Sequence, residues 1–313
     1  MGYKLETVGF PSCDGKNTVY GEIYTPNEGV PRGIVQLAHG MVDHIGRYKS
    51  LAEYLTGRGY IFAGSDHLGH GNTVATADDF GYFARRNGVS LVIDDVYKMN
   101  RLLHERYPAL PIVLMGHSMG SFVVRLYSVR YPESISGLII HGTAGKNPLL
   151  PFGLLLARIM RVFFGERHRS RLVTSLTIGS YNKRFDKSEG ENAWLTRDTS
   201  QVADREGDPR TSFVFTVSGY TDLFRMLGGC NRRLWYRAYP KEMKTLVISG
   251  RADPVGNFGK GVRRVYEGLL RHGVRELTLK TYEGARHELF NEINKDEVFS
   301  DVAEWLSFVM GDK

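Results

Sequence analysis

The residues best placed for covalent chemistry lie in Gly116-His117-Ser118-Met119-Gly120. An apolar run, Pro111–Met115, precedes this pentapeptide and a helix-like stretch, Ser121–Tyr131, follows it. Strand, sharp turn and helix form the setting in which a G-x-S-x-G turn lifts a serine hydroxyl clear of a sheet, the two glycines making room for the turn. A serine hydroxyl at its ordinary pKa is a poor nucleophile; it needs a base, and the base needs an acid to hold it. In strand–turn–helix sites of this kind the three follow in the order Ser, then Asp or Glu, then His. Of the ten histidines, only His272 and His287 follow a suitable acid in the C-terminal part. His272 ends a helical stretch, where it suits the helix dipole as a cap. His287 lies in a loop just past the run that ends at Tyr282, and such sheets place function beyond their strand ends. His287 is therefore the candidate base. Asp253 follows the strand-like run Leu246–Gly250 and is the candidate acid; Glu283 is the reserve, and an Asp-Pro turn is the plain alternative for Asp253.

An acyl intermediate also needs donors for its oxyanion. The backbone N–H of Met119, directly after the serine, supplies one. The second is expected from the loop Ala38–His44, with Met41 N–H as the donor and His39 and Gly40 shaping the turn. Asp66, His67 and His70 lie close together, but two glycines make their segment a loop and no helical zinc motif is present. Loop-shaping hydrogen bonds are the expected use of these side chains, and no metal is expected. Neither a phosphate-binding G-x-x-x-x-G-K-[ST] nor a strand-linked G-x-G-x-x-G occurs, so no nucleotide cofactor is indicated.

These residues need a sheet with loops at its carboxyl ends, and the sequence reads that way. Two strands, Lys4–Phe10 and Thr18–Tyr24, form an antiparallel hairpin. Short apolar runs then alternate with helical periods: Gly33–Leu37, Tyr60–Gly64, Pro111–Met115 and Gly137–Ile140, separated by Tyr48–Arg58, Val89–Tyr107 and Ser118–Tyr131. In the second of these helices Val92, Val96, Met99 and Leu103 share a face. The alternation resumes with strands at Thr245–Ser249 and Glu276–Tyr282 and helices at Gly261–His272 and Phe299–Met310. A mostly parallel sheet with helices on both faces follows. Residues 145–230 break the pattern with Leu-rich helical pieces, so residues 1–144 and 231–313 read as one α/β core carrying a mainly helical insertion at 145–230.

The chain has 313 residues, 41 Lys+Arg against 34 Asp+Glu, and 36 glycines, a composition that excludes a disordered chain or a coiled coil. The net charge of +7 is spread out, and no nucleic-acid partner is expected. One basic stretch stands apart: Arg158, Arg161, Arg167, Arg169 and Arg171, with Glu166 as the single acid. No apolar run is long enough to span a bilayer. With no secretory h-region and two cysteines, Cys13 and Cys230, a cytoplasmic protein with reduced thiols is expected, peripheral to a membrane if the cap touches one.

Taken together, several segments resemble the α/β-hydrolases, and within them the monoacylglycerol lipase/lysophospholipase-like group. They are His39-Gly40-Met41-Val42-Asp43-His44-Ile45-Gly46-Arg47-Tyr48, Asp66-His67-Leu68-Gly69-His70-Gly71, Gly116–Ser121, Gly250-Arg251-Ala252-Asp253-Pro254-Val255 and Gly284-Ala285-Arg286-His287. The resemblance implies an α/β-hydrolase fold, a cofactor-free serine hydrolase and a cap over an acyl pocket. It also implies that Asp43 and Arg47 lie where such lipases hold the substrate head. Those lipases often carry Glu where this chain has Asp43, and some carry a second His where this chain has Phe290. Proline-cleaving peptidase relatives usually carry His-Gly-Gly-Pro-Gly in the oxyanion loop, so His39–Asp43 here favours esters over peptides. The expected activity is hydrolysis of lipid-like carboxylic esters, with a thioesterase or short-chain carboxylesterase as the alternative and a catalytically silent binding protein as the contrast. The apolar run from Leu149 to Phe164 is expected to line the acyl tunnel, with Leu155 as its marker, and to touch a lipid surface beside its arginines.

Overall fold

The computed structural model describes residues 2–311. The strands β1 (Tyr3–Pro11) and β2 (Thr18–Pro26) pair antiparallel around the turn at Cys13–Lys16. Six more strands follow: β3 (Gly33–Ala38), β4 (Tyr60–Ser65), β5 (Ile112–His117), β6 (Gly137–His141), β7 (Lys244–Gly250) and β8 (Leu277–Tyr282). All eight form one sheet in the order β1-β2-β4-β3-β5-β6-β7-β8. β2 meets β4 antiparallel, and every pairing from β4 to β8 is parallel. β3, β4, β5 and β6 are buried along their whole length, which is why they read as unbroken apolar runs rather than as alternating ones.

Ten helices accompany the sheet among the described residues: α1 (Lys49–Thr56), α2 (Gly88–Arg106), α3 (Met119–Arg130), α4 (Leu150–Phe164), α5 (Arg171–Ile178), α6 (Thr199–Gly207), α7 (Val217–Gly229), α8 (Arg233–Ala238), α9 (Lys260–Arg271) and α10 (Lys295–Met310). The period-2 alternation of β5 sends Leu114 into one core layer with Val92 and Val96 of α2 and Val123 and Val124 of α3. Val113 and Met115 enter the opposite layer with Leu51 and Leu55 of α1 and Val302 and Leu306 of α10. Helices therefore cover both faces, as an α/β-hydrolase fold requires.

The insertion is helical. Its last helix, α7, is not part of a separable lid, however: Tyr220, Leu223, Phe224 and Met226 are buried in the same cluster as α2 and α3. Both ends of the insertion are stitched to α3 by Arg125, which is fully buried. Its guanidinium donates to Ala144 O at 3.2 Å and to Cys230 O at 2.5 Å, and stacks over the Trp235 ring at 4.5 Å. These carbonyls mark the two chain crossings from core to cap.

Candidate active site

β5 ends at His117, and the next residue turns straight into α3. Ser118 sits there with φ 53° and ψ −118°, a conformation rarely tolerated by a residue with a side chain. The flanking glycines explain how the turn fits. A Cβ on Gly120 would lie 2.0 Å from Ala38 O, and one on Gly116 would lie 2.3 Å from Gly120 O. The elbow thus packs directly on the end of β3 and projects Ser118 into a cavity of about 580 Å³. That size is typical of a small-molecule site.

The loop after β7 delivers Asp253 and the loop after β8 delivers His287, as the sequence predicts. Asp253 is fully buried and His287 nearly so. His287 Nδ1–H donates to Asp253 Oδ2 at 3.0 Å, which leaves Nε2 as the acceptor for a hydroxyl proton. The other Asp253 oxygen accepts from Val255 N–H at 2.8 Å. His287 lines the same cavity as Ser118, whose hydroxyl has no hydrogen-bond partner among the described residues. The reserve acid is not available: Glu283 is largely exposed and pairs with Arg251 at 2.6 Å. His272 caps α9, with Nδ1–H donating to Gly268 O at 2.8 Å and its ring stacked on Tyr236.

Met41 and Met119 both line the cavity, and the backbone N–H of neither donates to a protein acceptor among the described residues. Both N–H groups are thus open to an oxyanion, with the N-terminus of α3 adding its dipole. Val42, between Met41 and Asp43, holds φ 53° and strains the loop. Fixed groups behind it hold this shape. His39 Nδ1–H donates to Gly40 O at 2.9 Å while its Nε2 accepts from His67 N–H at 3.0 Å. His70 Nδ1–H donates to Leu68 O, and Asp66 accepts from Ile45 and Asn72 N–H. Burial pushes His67 down to about 3 and His70 to about 4, and raises Asp66 to about 7. These side chains shape loops. No group of three or more His, Cys, Asp or Glu residues suited to a metal occurs among the described residues.

Two expectations for substrate contacts, Arg47 and Leu155, are corrected, and the third, Asp43, lines the cavity with its carboxylate already engaged. Arg47 does not line the cavity. Its guanidinium lies between Asp43, at 3.0 Å, and Glu288, bonded at 3.0 and 2.7 Å. Burial works against the charge of each partner, but their mutual attraction prevails, holding Arg47 high, Asp43 low and Glu288 at about 2. Asp43 reaches the cavity wall, yet its carboxylate is engaged by His44 N–H, Arg47 and the Tyr48 hydroxyl, and more distantly by Gly40 N–H. It organises the oxyanion loop rather than presenting a free acceptor. Leu155 is on the outer face of α4, 56% exposed, while Leu156, Gly153 and Phe152 line the cavity. Helical spacing separates the two faces, and the run of three leucines at 154–156 conceals which one turns inward.

The sequence reading also missed residues. His117 donates Nδ1–H to the Tyr48 hydroxyl at 2.8 Å and stacks near His141 and His287. Burial keeps His117 and His141 below the usual histidine range, so His287 has neutral imidazoles as neighbours. From the cap, the Trp194 ring lies 5.2 Å from that of His287, and Trp194 O accepts from His287 N–H at 3.4 Å. His117 was visible as the variable residue of the elbow motif. Nothing in its local sequence marks Trp194.

The comparisons with known proteins agree with this geometry. The family model described as serine aminopeptidase, S33 (Hydrolase_4) matches residues 29–294. The chain belongs to this S33 family of α/β-hydrolases. Among curated relatives, a monoacylglycerol lipase of Mycolicibacterium smegmatis is 28% identical, with 95% of each chain covered. The human monoglyceride lipase is 26% identical, covering 91% of this chain and 85% of that one. A carboxyl esterase from Bacillus coagulans, solved in complex with glycerol, superposes with a TM-score of 0.91 at 28% identity, covering 99% of both chains. The esterase and lipase names of these relatives, with the assembled Ser118, Asp253 and His287, support an ester hydrolase.

Proposed function

We propose that the protein hydrolyses esters of lipid-like substrates, monoacylglycerols or lysophospholipids, through an acyl-enzyme on Ser118. The observation that carries this is the cavity itself: Ser118, His287, Met41 and Met119 meet an apolar wall made by Leu150, Phe152, Leu156, Val173, Leu223 and Phe224. His287 Nε2 takes the Ser118 proton as Oγ attacks the ester carbonyl. Met41 and Met119 N–H receive the oxyanion, and Asp253 stabilises the imidazolium. His287 then protonates the leaving alcohol and activates the water that releases the acid. The names of the lipase relatives, and the glycerol bound by the esterase, favour a glyceryl leaving group.

The cap supports delivery from a lipid surface. Leu149, Phe152 and Leu176 line the cavity yet are more than half exposed, so they stand at its mouth. Leu155, Val162, Phe163, Phe164 and Leu172 extend the apolar patch outward. Arg158 and Arg171 are exposed beside it. Arg167 and Arg169 are not free for headgroups, because they bind Asp79, Asp78 O and Phe80 O. No helix of the described residues is long and apolar enough to cross a membrane, which leaves an interfacial contact.

The test is a hydrolysis panel: p-nitrophenyl acetate through palmitate, monoolein, lysophosphatidylcholine, an acyl-CoA and a prolyl anilide. Turnover highest on monoolein or lysophosphatidylcholine supports the reading. Preference for acetate, the thioester or the anilide overturns the substrate class, and no turnover with no labelling by a fluorophosphonate overturns catalysis. Vesicle sedimentation tests the surface contact. Replacing Val162 and Phe163 by Ser should abolish binding to anionic vesicles while p-nitrophenyl acetate turnover persists; unchanged binding refutes it.

A further inference from the structure

The cap helix α6 and the turn after it, Pro209–Thr211, show an unusual way of being held. Every residue of α6 has some exposure, so the helix is not seated by a buried apolar face. The hydrogen bonds and ion pairs that this segment makes with the core reach two places, the oxyanion loop and the His287 loop. Arg205 Nη2 donates to Val42 O at 3.1 Å. Asp208 accepts from His44 Nε2 at 2.9 Å, while Arg210 chelates the same carboxylate. Arg205 Nε lies 3.8 Å from Glu288, the residue after His287, and is buried without a hydrogen bond.

Val42 is the strained residue directly after Met41, and a non-glycine at positive φ persists only where its surroundings hold it. The Val42 carbonyl faces a cation from the cap, and the peptide group N-terminal to it carries the Met41 carbonyl. Rotation of this segment would re-aim the Met41 N–H. We propose that Arg205 is a positioning residue for the reaction: it clasps the oxyanion loop to the His287 loop across the cap, so the oxyanion hole is complete only while this part of the cap is seated. Asp208 forms the second, outer point of the clasp. The proposal rests on Ser118 catalysis and deepens it, because it makes a cap residue part of transition-state binding rather than of acyl-chain binding.

The experiment compares wild type, Arg205→Gln, Arg205→Lys, Asp208→Asn and Ser118→Ala on p-nitrophenyl acetate, whose acyl group is too small to need the apolar wall. Active sites are titrated with a fluorophosphonate so that kcat refers to reactive enzyme. Activity in wild type and its loss in Ser118→Ala establish the underlying reading separately. Arg205→Gln should lower kcat roughly tenfold to a hundredfold, less than outright removal of an oxyanion donor, with KM nearly unchanged. It should also weaken a trifluoromethyl ketone, which forms an oxyanion on the serine, by a similar factor. Arg205→Lys should recover part of kcat, and Asp208→Asn should show a smaller loss of the same kind. A loss confined to KM would make Arg205 a substrate contact and overturn the proposal. So would a fall in titratable sites at unchanged kcat, or unchanged trifluoromethyl ketone affinity.

Discussion

Asp253→Asn tests the triad with the least disturbance of shape, and the structure dictates how the new amide must sit. One carboxylate oxygen accepts from Val255 N–H at 2.8 Å, so the amide oxygen must remain there. The amide NH2 is then forced into the position of Oδ2, which is 3.0 Å from His287 Nδ1. Two donors cannot face each other, so His287 gives up its Nδ1 proton and carries it on Nε2 instead. In that tautomer Nε2 has no lone pair for the Ser118 proton. Replacement of a triad Asp by Asn in this way costs about 10⁴ in kcat, or about 5 kcal/mol of barrier at about 1.4 kcal/mol per tenfold. Glu283 cannot substitute, because it is exposed and paired with Arg251. The assay is p-nitrophenyl butyrate hydrolysis near neutral pH, with thermal unfolding as the control. The variant should unfold close to the wild-type temperature, since the size of the side chain and the Val255 bond persist. A kcat within a hundredfold of wild type would refute the assignment of Asp253 and the tautomer argument together.

Ser118→Ala and His287→Ala should each abolish esterase activity, and the double variant should be no worse, because triad members act as a unit; His272→Ala should stay near wild type, and inactivity there would show that the base is misassigned. Arg125→Met removes the donors that satisfy Ala144 O and Cys230 O, so it should cost about 3 kcal/mol and lower the melting temperature by about 5 °C in a thermal scan; an unchanged scan would contradict the stitch. Glu288 is held at about 2 against an ordinary 4.5, so it contributes stability that is complete above about 4.5 and is lost as pH falls towards 2. Denaturant titrations of wild type and Glu288→Gln should therefore differ most above pH 4.5 and converge in acid, and a constant difference across that range would refute the coupling to Arg47.

The framework of the candidate site was legible because its signals are local. The apolar runs ending at Met115, Ser249 and Tyr282 became β5, β7 and β8 within a residue or two at their ends, and the loops after them carry the triad. Where local patterning weakens, so does the reading. α10 starts four residues earlier than expected, because Lys295, Asp296 and Glu297 open it with charges before the apolar face begins. α8, six residues long and bearing Arg233 and Arg237, is too short to show a period. The resemblance to monoacylglycerol lipases places Arg47 at the substrate, but its partner Glu288 lies 241 residues away and only the fold brings them together. The same holds for Arg205, which sits 163 residues from the Val42 carbonyl it binds.

The charges around His287 follow a consistent physical logic. The Ser118 proton must create an imidazolium in a buried site, and any nearby net charge would bias that step. Asp43 and Glu288 are offset by Arg47 and Arg205, so this network adds little net field despite four ionic groups. His117 and His141, the two other imidazoles closest to the base in this stack, are kept neutral by burial and so do not repel the cation. Asp253 is then the one carboxylate bonded directly to His287, and its attraction is directed along the Nδ1–H bond. A buried ionic network is a poor source of net stability, since desolvation offsets much of the attraction. Its use here is to fix the positions of two loops, 39–48 and 284–292, whose Met41 N–H and His287 imidazole must meet a single carbonyl. The cap takes part in that task through Arg205, Trp194 and Leu195, whose carbonyl accepts from Glu288 N–H at 2.7 Å. The insertion therefore does more than wall the cavity: its inner edge packs against the two loops that carry Met41 and His287.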